Sequence, residues 1–243
     1  MEIGPGLGAL TLPLLERAGA LQVVEIDRDL AAGLRARALP GLRVHEADAL
    51  EIPFEGLLED APGAASAGAL RLVGNLPYNV GTPLLLRVAE HRALVRDVHV
   101  MLQKEVVERL GAAPGASARG RLSVVIQACF RVAPLFDVEP GAFRPAPKVR
   151  SAVVRLVPRD DAPASDALAG VSLAARLAFA NRRKTLRNNF RGALDADALE
   201  ALGVDPGARA ETLELGAFLR LGAALAGGAE GDGGGGRDEG RAG

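Results

Sequence analysis

At 243 residues, with 49% apolar and 24% charged side chains, the chain can bury one sizeable domain and a smaller one, which excludes a wholly disordered protein. Its formal net charge of -1 excludes a uniformly basic nucleic-acid binder and moves attention to how charge is distributed. No run of about 18 uncharged apolar residues and no basic leader followed by an apolar stretch occurs, so neither a membrane span nor a signal peptide is expected, and the expected location is cytoplasmic. The single Cys129, inside the apolar run Leu122 to Val132, reads as a buried core residue rather than a nucleophile.

Short branched apolar runs alternate with helical patterns over the first two-thirds of the chain, the sequence form of a parallel sheet covered by helices. Strands are predicted at Met1 to Ile3, Gln22 to Ile26, Arg43 to Glu46, Leu70 to Gly74, Val98 to Leu102, Val124 to Phe130 and Ala152 to Leu156. Helices are predicted at Leu10 to Ala18, Asp29 to Ala38, Thr82 to Glu90 and Gln103 to Leu110, with Asp29 as cap of the second. The first strand starts at the initiator and is shorter than a buried parallel strand normally is, so an upstream portion is expected. Val157 to Asp166, rich in Pro, Asp and Ala, reads as a linker. Helical spacing returns in Leu173 to Phe190, Asp195 to Leu202 and Leu213 to Leu225, with Asp195 or Asp197 as an N-cap and Gly203 as a stop. From Gly227 onward there is nothing apolar to bury, and disorder is expected. The predicted division is an α/β domain at 1–157, a small all-α domain at 158–226 and a Gly-rich tail at 227–243.

The run Glu2-Ile3-Gly4-Pro5-Gly6-Leu7-Gly8 follows a strand and opens a helix, so Gly4 and Gly6 can turn the chain tightly and present backbone N–H groups to a ligand. Alone, such a turn serves nicotinamide, flavin and S-adenosylmethionine binders alike, and it also arises by chance. Glu25 ends the second strand about 20 residues farther on, the spacing at which a carboxylate accepts hydrogen bonds from both hydroxyls of a ribose. Asp48 ends the third strand, where it can accept from an adenine amino group. Singly, each acid could be a helix cap or a loop acid. Jointly, three successive strand ends face one crevice, the place where open α/β sheets bind ligands.

Asn75-Leu76-Pro77-Tyr78-Asn79 ends the fourth strand and is the most specific short stretch of the chain. Its chemistry is amine methylation. The lone pair of an exocyclic adenine amine is delocalised into the ring, so the amine is a poor nucleophile. If the Asn75 side-chain oxygen and the Leu76 carbonyl accept its two N–H groups, the nitrogen is drawn toward tetrahedral geometry and its developing charge is stabilised. Pro77 fixes the turn, and Tyr78 offers a face to an extruded base. The plain alternative is a strand-ending turn, for which Asn and Pro are both suited. No general base is required, because the methylated ammonium is acidic enough to lose its proton afterward. His45, His91 and His99 lack metal-ligand spacing and read as strand or surface residues, and no metal is expected.

With these residues in view, the sequence resembles the bacterial small-subunit ribosomal RNA adenine dimethyltransferase family (KsgA/RsmA). The resemblance is carried by the Gly4 and Asn75 motifs, Val24 to Leu30, Met101 to Val107, Gly120 to Val124, Phe143-Arg144-Pro145-Ala146-Pro147-Lys148-Val149, Ser151 to Leu156 and Asn181 to Asn188, and spans residues 1 to about 225. It implies a Rossmann-like S-adenosylmethionine-dependent methyltransferase sheet with a small C-terminal all-α domain. It further implies four methyl transfers to two adjacent adenines in the 3′-terminal hairpin of 16S rRNA, with the immature 30S subunit as partner. On that basis Gly4, Glu25, Asp48 and Asn75 hold the cofactor, while Asn75, Leu76, Tyr78 and Phe143 hold the base. Read without the family, Phe143 could equally be a core plug. The resemblance further implies an upstream Asn-Phe-Leu segment and a helix before the first strand; a start assigned too late is the favoured expectation, and a true truncation that binds cofactor poorly is the alternative. A 23S-directed adenine methyltransferase of the resistance type and a non-catalytic ribosome-assembly factor are the competing readings.

Arg182, Arg183, Lys184, Arg187 and Arg191 crowd into ten positions, and Arg183, Arg187 and Arg191 would form one stripe on the helix predicted over Leu173 to Phe190. Such a run is ordinarily a solvated face. With an RNA substrate it becomes a phosphate-contacting surface, to which Lys104, Arg119, Arg121 and Lys148 are added as candidates nearer the crevice. The expected species is a monomer without a membrane partner.

Overall fold

The computed structural model describes residues 1–59, 70–77, 79–144 and 146–230. The chain divides into two units, residues 1–112 with 126–162, and residues 113–125 with 163–243. The second is therefore not contiguous, as the division drawn from sequence is: a stretch from the middle of the chain belongs to the helical unit.

In the first unit the elements run β1 (Glu2–Ile3), α1 (Thr11–Ala18), β2 (Leu21–Glu25), α2 (Arg28–Ala36), β3 (Leu42–Glu46), α3 (Phe54–Glu59), β4 (Leu70–Asn75), α4 (Gly81–Glu90), β5 (Val95–Gln103) and α5 (Lys104–Leu110). After α6 (Arg121–Cys129), which the two units share, come β6 (Phe130–Val138) and β7 (Ser151–Pro158). The described residues form a seven-stranded sheet in the order β3-β2-β1-β4-β5-β7-β6. Strands β1 to β5 are mutually parallel and β7 runs antiparallel to both β5 and β6. This is the Rossmann-like sheet that the resemblance implies. Because β1 pairs with β2 on one side and β4 on the other, the direction of winding reverses between β1 and β4. At that switch the carboxyl ends of neighbouring strands part and leave a crevice.

Side-chain burial explains why these segments fold this way. Leu21 and Val23 of β2 pack with Leu34 of α2, and Leu14, Leu15, Leu42 and Val44 close over them. Each such aliphatic side chain contributes about 1.5–3 kcal/mol on full burial. Asp27, rather than Asp29, caps α2: its carboxylate accepts from the backbone N–H groups of Asp29 (2.9 Å) and Leu30 (3.0 Å). Asp29 sits in the first turn, where its charge faces the positive helix end.

One predicted strand is overturned. Val124 to Phe130 falls largely in helix α6, and the strand begins only at Phe130. The run is apolar at nearly every position, and Leu122, Val124, Val125, Ile126, Ala128 and Cys129 are all buried, so no period distinguishes helix from strand. Polar side chains decide it locally. Ser123 Oγ accepts from Gly120 N–H at the start of the helix, and the Gln127 amide donates to the carbonyls of Leu110 and Ala112. Burial pushes the Cys129 thiol up to about 11, in keeping with an inert core residue. The predicted linker is shortened at both ends, since β7 runs to Pro158 and the next helix starts at Ser165.

The helical unit holds α7 (Ser165–Ala178), α8 (Leu186–Asn189), α9 (Ala196–Ala201) and α10 (Leu215–Glu230). The single helix predicted over Leu173 to Phe190 is broken: α7 stops at Ala178, and α8 is one turn long. The Asn189 amide takes the carbonyls of Ala178 and Asn181, and Phe179 leaves the helix to stack on Phe218 at 5.9 Å between ring centres. As expected, Asp195 caps α9 through Ala198 N–H, and Gly203 after it adopts φ +68. Helix α10 continues past Gly227 to Glu230, which corrects the expectation of disorder for those four positions; the rest of the tail lies outside the described residues. No described helix is long and apolar enough to cross a membrane.

Helices α7 and α10 cross with backbone against backbone. A Cβ added to Gly170 would meet the Gly222 carbonyl oxygen at 2.5 Å, and one added to Gly222 would meet Gly170 C at 2.6 Å. Gly170→Ala should therefore destabilise the helical unit by about 1–3 kcal/mol, even though alanine is about 1 kcal/mol the better helix former. Denaturant unfolding checks this; an unchanged or raised midpoint would mean that the helices part freely.

Candidate active site

Gly4, Gly6 and Gly8 all have positive φ (+65, +55 and +86), which turns the chain sharply between β1 and α1. The Gly4 N–H donates to the Val24 carbonyl (3.0 Å) and the Gly8 N–H to that of Pro5 (2.9 Å), so the loop is pinned to β2 and to itself. Beneath it lies Glu25, 6% exposed. One carboxylate oxygen accepts from Gly6 N–H (3.0 Å) and the other from Asp27 N–H (3.0 Å). Each oxygen keeps a further lone-pair direction for a ligand hydroxyl. A Cβ added to Gly6 would meet nothing within 4 Å, so space stands open above the turn.

Glu2 was part of the motif but not a candidate. It is buried under the turn and accepts from Thr11 Oγ (2.7 Å); burial raises its carboxyl above the ordinary range, which the Thr11 bond partly offsets. Next to Glu25, the side chain of Ile26 is 65% exposed, an apolar plate at the mouth of the crevice. An isolated apolar residue at the end of a strand, followed by a capping Asp, is the signal that would have found it.

Asp48 follows β3, where the Ala47 N–H donates to the Glu25 carbonyl (3.0 Å) and ties the two strand ends together. The half-buried Asp48 carboxylate accepts from Leu50 N–H (2.7 Å) in a tight side-chain turn. On the other side of β1, Asn75 is exposed at the end of β4, Leu76 is buried with its N–H on the Met101 carbonyl (3.2 Å), and Pro77 is exposed. The Pro77 carbonyl accepts from Val80 and Gly81 N–H and starts α4. No hydrogen bond to the Leu76 carbonyl or the Asn75 side chain is present among the described residues. A Cβ on Gly4 would lie 3.9 Å from Pro77 Cδ, so the glycine turn and the Asn-Leu-Pro turn abut. Tyr78 lies outside the described residues.

Phe143 is half-buried, just after a 3₁₀ turn at Pro140–Ala142, with its N–H on the Pro140 carbonyl (3.2 Å). The connection that carries it joins β6 to β7. It emerges where Ser151 pairs with Gln103 at the end of β5, on the same edge as Asn75. The structure thus gathers Gly4, Gly6, Glu25, Asp48, Asn75, Leu76 and Pro77 along the four adjoining strand ends of β3, β2, β1 and β4, with Phe143 on that edge beyond β5.

The basic candidates separate into two kinds. Arg119 is corrected outright: it is 1% exposed and donates to the Leu213 carbonyl (3.2 Å), because its guanidinium ties residues 113–125 into the helical unit. Arg182 donates to the carbonyls of Ser117 and Arg119, and Lys104 is held by Asp137 (2.5 Å), which raises its pKa. Arg121 is exposed and reaches Ser172 Oγ (3.2 Å). Lys148, Arg183, Lys184, Arg187 and Arg191 are exposed and enter no ion pair among the described residues. They do not form the predicted stripe, because Arg183 and Arg191 lie in turns on either side of α8. Of the histidines, His45 meets Gln22, His91 the Arg87 carbonyl and His99 the buried Asp97.

The family model described as "Ribosomal RNA adenine dimethylase" matches residues 1–226. The chain is 54% identical over 223 residues to ribosomal RNA small subunit methyltransferase A of Acidithiobacillus ferrooxidans, covering 91% of this chain and 81% of the relative. To the protein of the same name from Pseudomonas putida it is 49% identical over 230 residues, covering 93% and 84%. Among solved structures it is similar to a dimethyladenosine transferase from Plasmodium falciparum, with TM-score 0.72, 26% identity and 90% and 86% of the two chains covered. It is also similar to the 23S rRNA methyltransferase ErmE, with TM-score 0.63, 26% identity and coverage of 92% and 89%. By its crevice at the strand-order switch and by this match over nearly its whole length, the chain belongs to the ribosomal RNA adenine dimethylase family.

Proposed function

We propose that the chain transfers methyl groups from S-adenosylmethionine to the N6 amines of two adjacent adenines in the 3′-terminal hairpin of 16S rRNA, with the immature 30S subunit as its partner. The observation that carries this reading is the abutment of the Gly4 turn on the Asn75-Leu76-Pro77 turn at the β1/β4 switch. Family membership and relatives at about 50% identity named for the small subunit favour it over a 23S substrate.

The residues fit such a cofactor: the open space at Gly6, the buried Glu25 below it and the exposed Ile26 beside it suit a nucleoside. Glu25 would take the ribose hydroxyls, Asp48 the adenine amino group and Ile26 a face of the purine. When bound, the cofactor supplies an electrophilic methyl group on a positively charged sulfur. Asn75 Oδ1 and the Leu76 carbonyl oxygen accept the two N–H groups of the target amine and direct its lone pair at that methyl. Pro77 keeps the Leu76 carbonyl out of the strand ladder, since α4 starts from the Pro77 carbonyl instead. Tyr78 and Phe143 offer faces to a base taken out of its stack. The surplus proton leaves to water after transfer.

Lys148, Arg183, Lys184, Arg187 and Arg191 would contact phosphates, and Arg121 remains a candidate. Arg119, Arg182 and Lys104 serve the protein's own structure. In the helical unit these cations lie on the one-turn α8, which carries Arg187, and in the turns on either side of it, which carry Arg183, Lys184 and Arg191.

Methyl transfer to immature 30S particles and to protein-free 23S RNA tests the substrate: transfer to the 30S particle is expected, and transfer only to 23S RNA would reject it. Asn75→Ala should lower the transfer rate by about 10²–10³-fold, the cost of one lost transition-state acceptor, while subunit affinity is kept; undiminished turnover would refute the amine geometry. Replacing Arg183 and Arg187 together by Ala should flatten the salt dependence of subunit binding by about 1.5–2 units in log–log slope. An unaltered slope would return those arginines to the solvated surface.

A further inference from the structure

Helix α4 begins at the Asn-Leu-Pro-Tyr turn and carries Arg87 on its last turn. The Arg87 guanidinium reaches back to the loop after β3 and donates to two carbonyls there, Ala49 (3.0 Å) and Ile52 (2.6 Å). The guanidinium carbon lies over the Phe54 ring, 4.8 Å from the ring centre. Those two carbonyls bracket the turn that Asp48 makes, in which Asp48 accepts from Leu50, Glu51 and Ile52 N–H groups. One half-buried cation therefore joins the helix launched by the base-holding turn to the loop that aims Asp48.

We propose that Arg87 is a positioning residue for the cofactor: it fixes the 48–52 turn against α4 so that the Asp48 carboxylate meets the adenine amino group. This rests on the assignment of Asp48 above. The geometry needs the planar fork of arginine. A lysine ammonium is a compact point charge and cannot span the two carbonyls of Ala49 and Ile52 while its charge sits over a ring. The cationic stack and two charge-assisted bonds together make the contact stronger than an exposed ion pair.

The experiment measures S-adenosylmethionine and RNA affinities of the unsubstituted chain, Arg87→Met, Arg87→Lys, Asp48→Ala and Arg87→Met/Asp48→Ala, together with amide exchange of residues 50–52 without ligand. Arg87→Met should weaken cofactor binding about tenfold, the worth of a charged hydrogen bond, with RNA affinity changed less than about twofold. Arg87→Lys should fall between it and the unsubstituted chain. The double variant should bind no more weakly than the weaker single variant, the mark of two residues acting through one contact. Exchange at Leu50 and Ile52 should quicken by about tenfold in Arg87→Met. Unchanged exchange there, or cofactor and RNA affinities falling together, would overturn the inference. A different pattern marks failure of the assignment it rests on: Asp48→Ala binding cofactor normally while Arg87→Met still quickens exchange.

Discussion

The site depends on the pairing of β1 with β4. Two parallel strands far apart in sequence lie side by side, with Glu2 opposite Val73, and the turns leaving their carboxyl ends meet at Gly4 and Pro77. Neither turn is a site alone. The glycine turn gives open space rather than the free N–H groups expected of it, because the Gly4, Gly6 and Gly8 N–H groups are taken by Val24, Glu25 and Pro5; on the proposed reading the Asn-Leu-Pro turn beside it would supply two acceptors for the target amine. The sheet extends from this point in both directions, toward β2 and β3 with Glu25 and Asp48 at their ends and toward β5, β7 and β6 with Phe143.

Charge is distributed on the same logic. The acids at the strand ends are held by fixed donors: Glu25 accepts from the backbone N–H groups of Gly6 and Asp27, Asp48 from that of Leu50, and the buried Glu2 from the Thr11 hydroxyl. Their carboxylates are thereby held before a ligand arrives, and little reorganisation is left for binding. Cations are used differently in the two units. Arg87 holds a loop of the first unit and Arg119 and Arg182 fasten segments of the second, whereas the exposed Arg183, Arg187 and Arg191 enter no ion pair among the described residues.

The strand ends were legible in the sequence because each carries residues with strong positional meaning. Glycines that need positive φ, an acid after a branched run and a proline after an asparagine all survive without knowledge of tertiary contacts. What was not legible had no such punctuation. The run around Val124 is apolar on every side, so its helix is decided by Ser123 and Gln127 reaching to backbone that the period cannot reveal. Asn189 folding back on Ala178 broke what four-residue spacing presented as one helix. Charge alone suggests surface for Arg119, and its bond to the distant Leu213 carbonyl is a contact that sequence spacing cannot reveal. Arg87 was passed over for the opposite reason, as an ordinary helix cation whose partners lie nearly forty residues away in the chain.

On the proposed reading the glycine turn and the asparagine turn share one ligand. Amide-resolved NMR during titration with S-adenosylmethionine tests it most directly. Resonances of Gly4, Gly6, Asp48 and the Asn75 side-chain amide should move together with a single affinity. If Gly6 moved while the Asn75 amide stayed still at saturation, the two turns would serve different purposes and the proposed transfer geometry would be wrong.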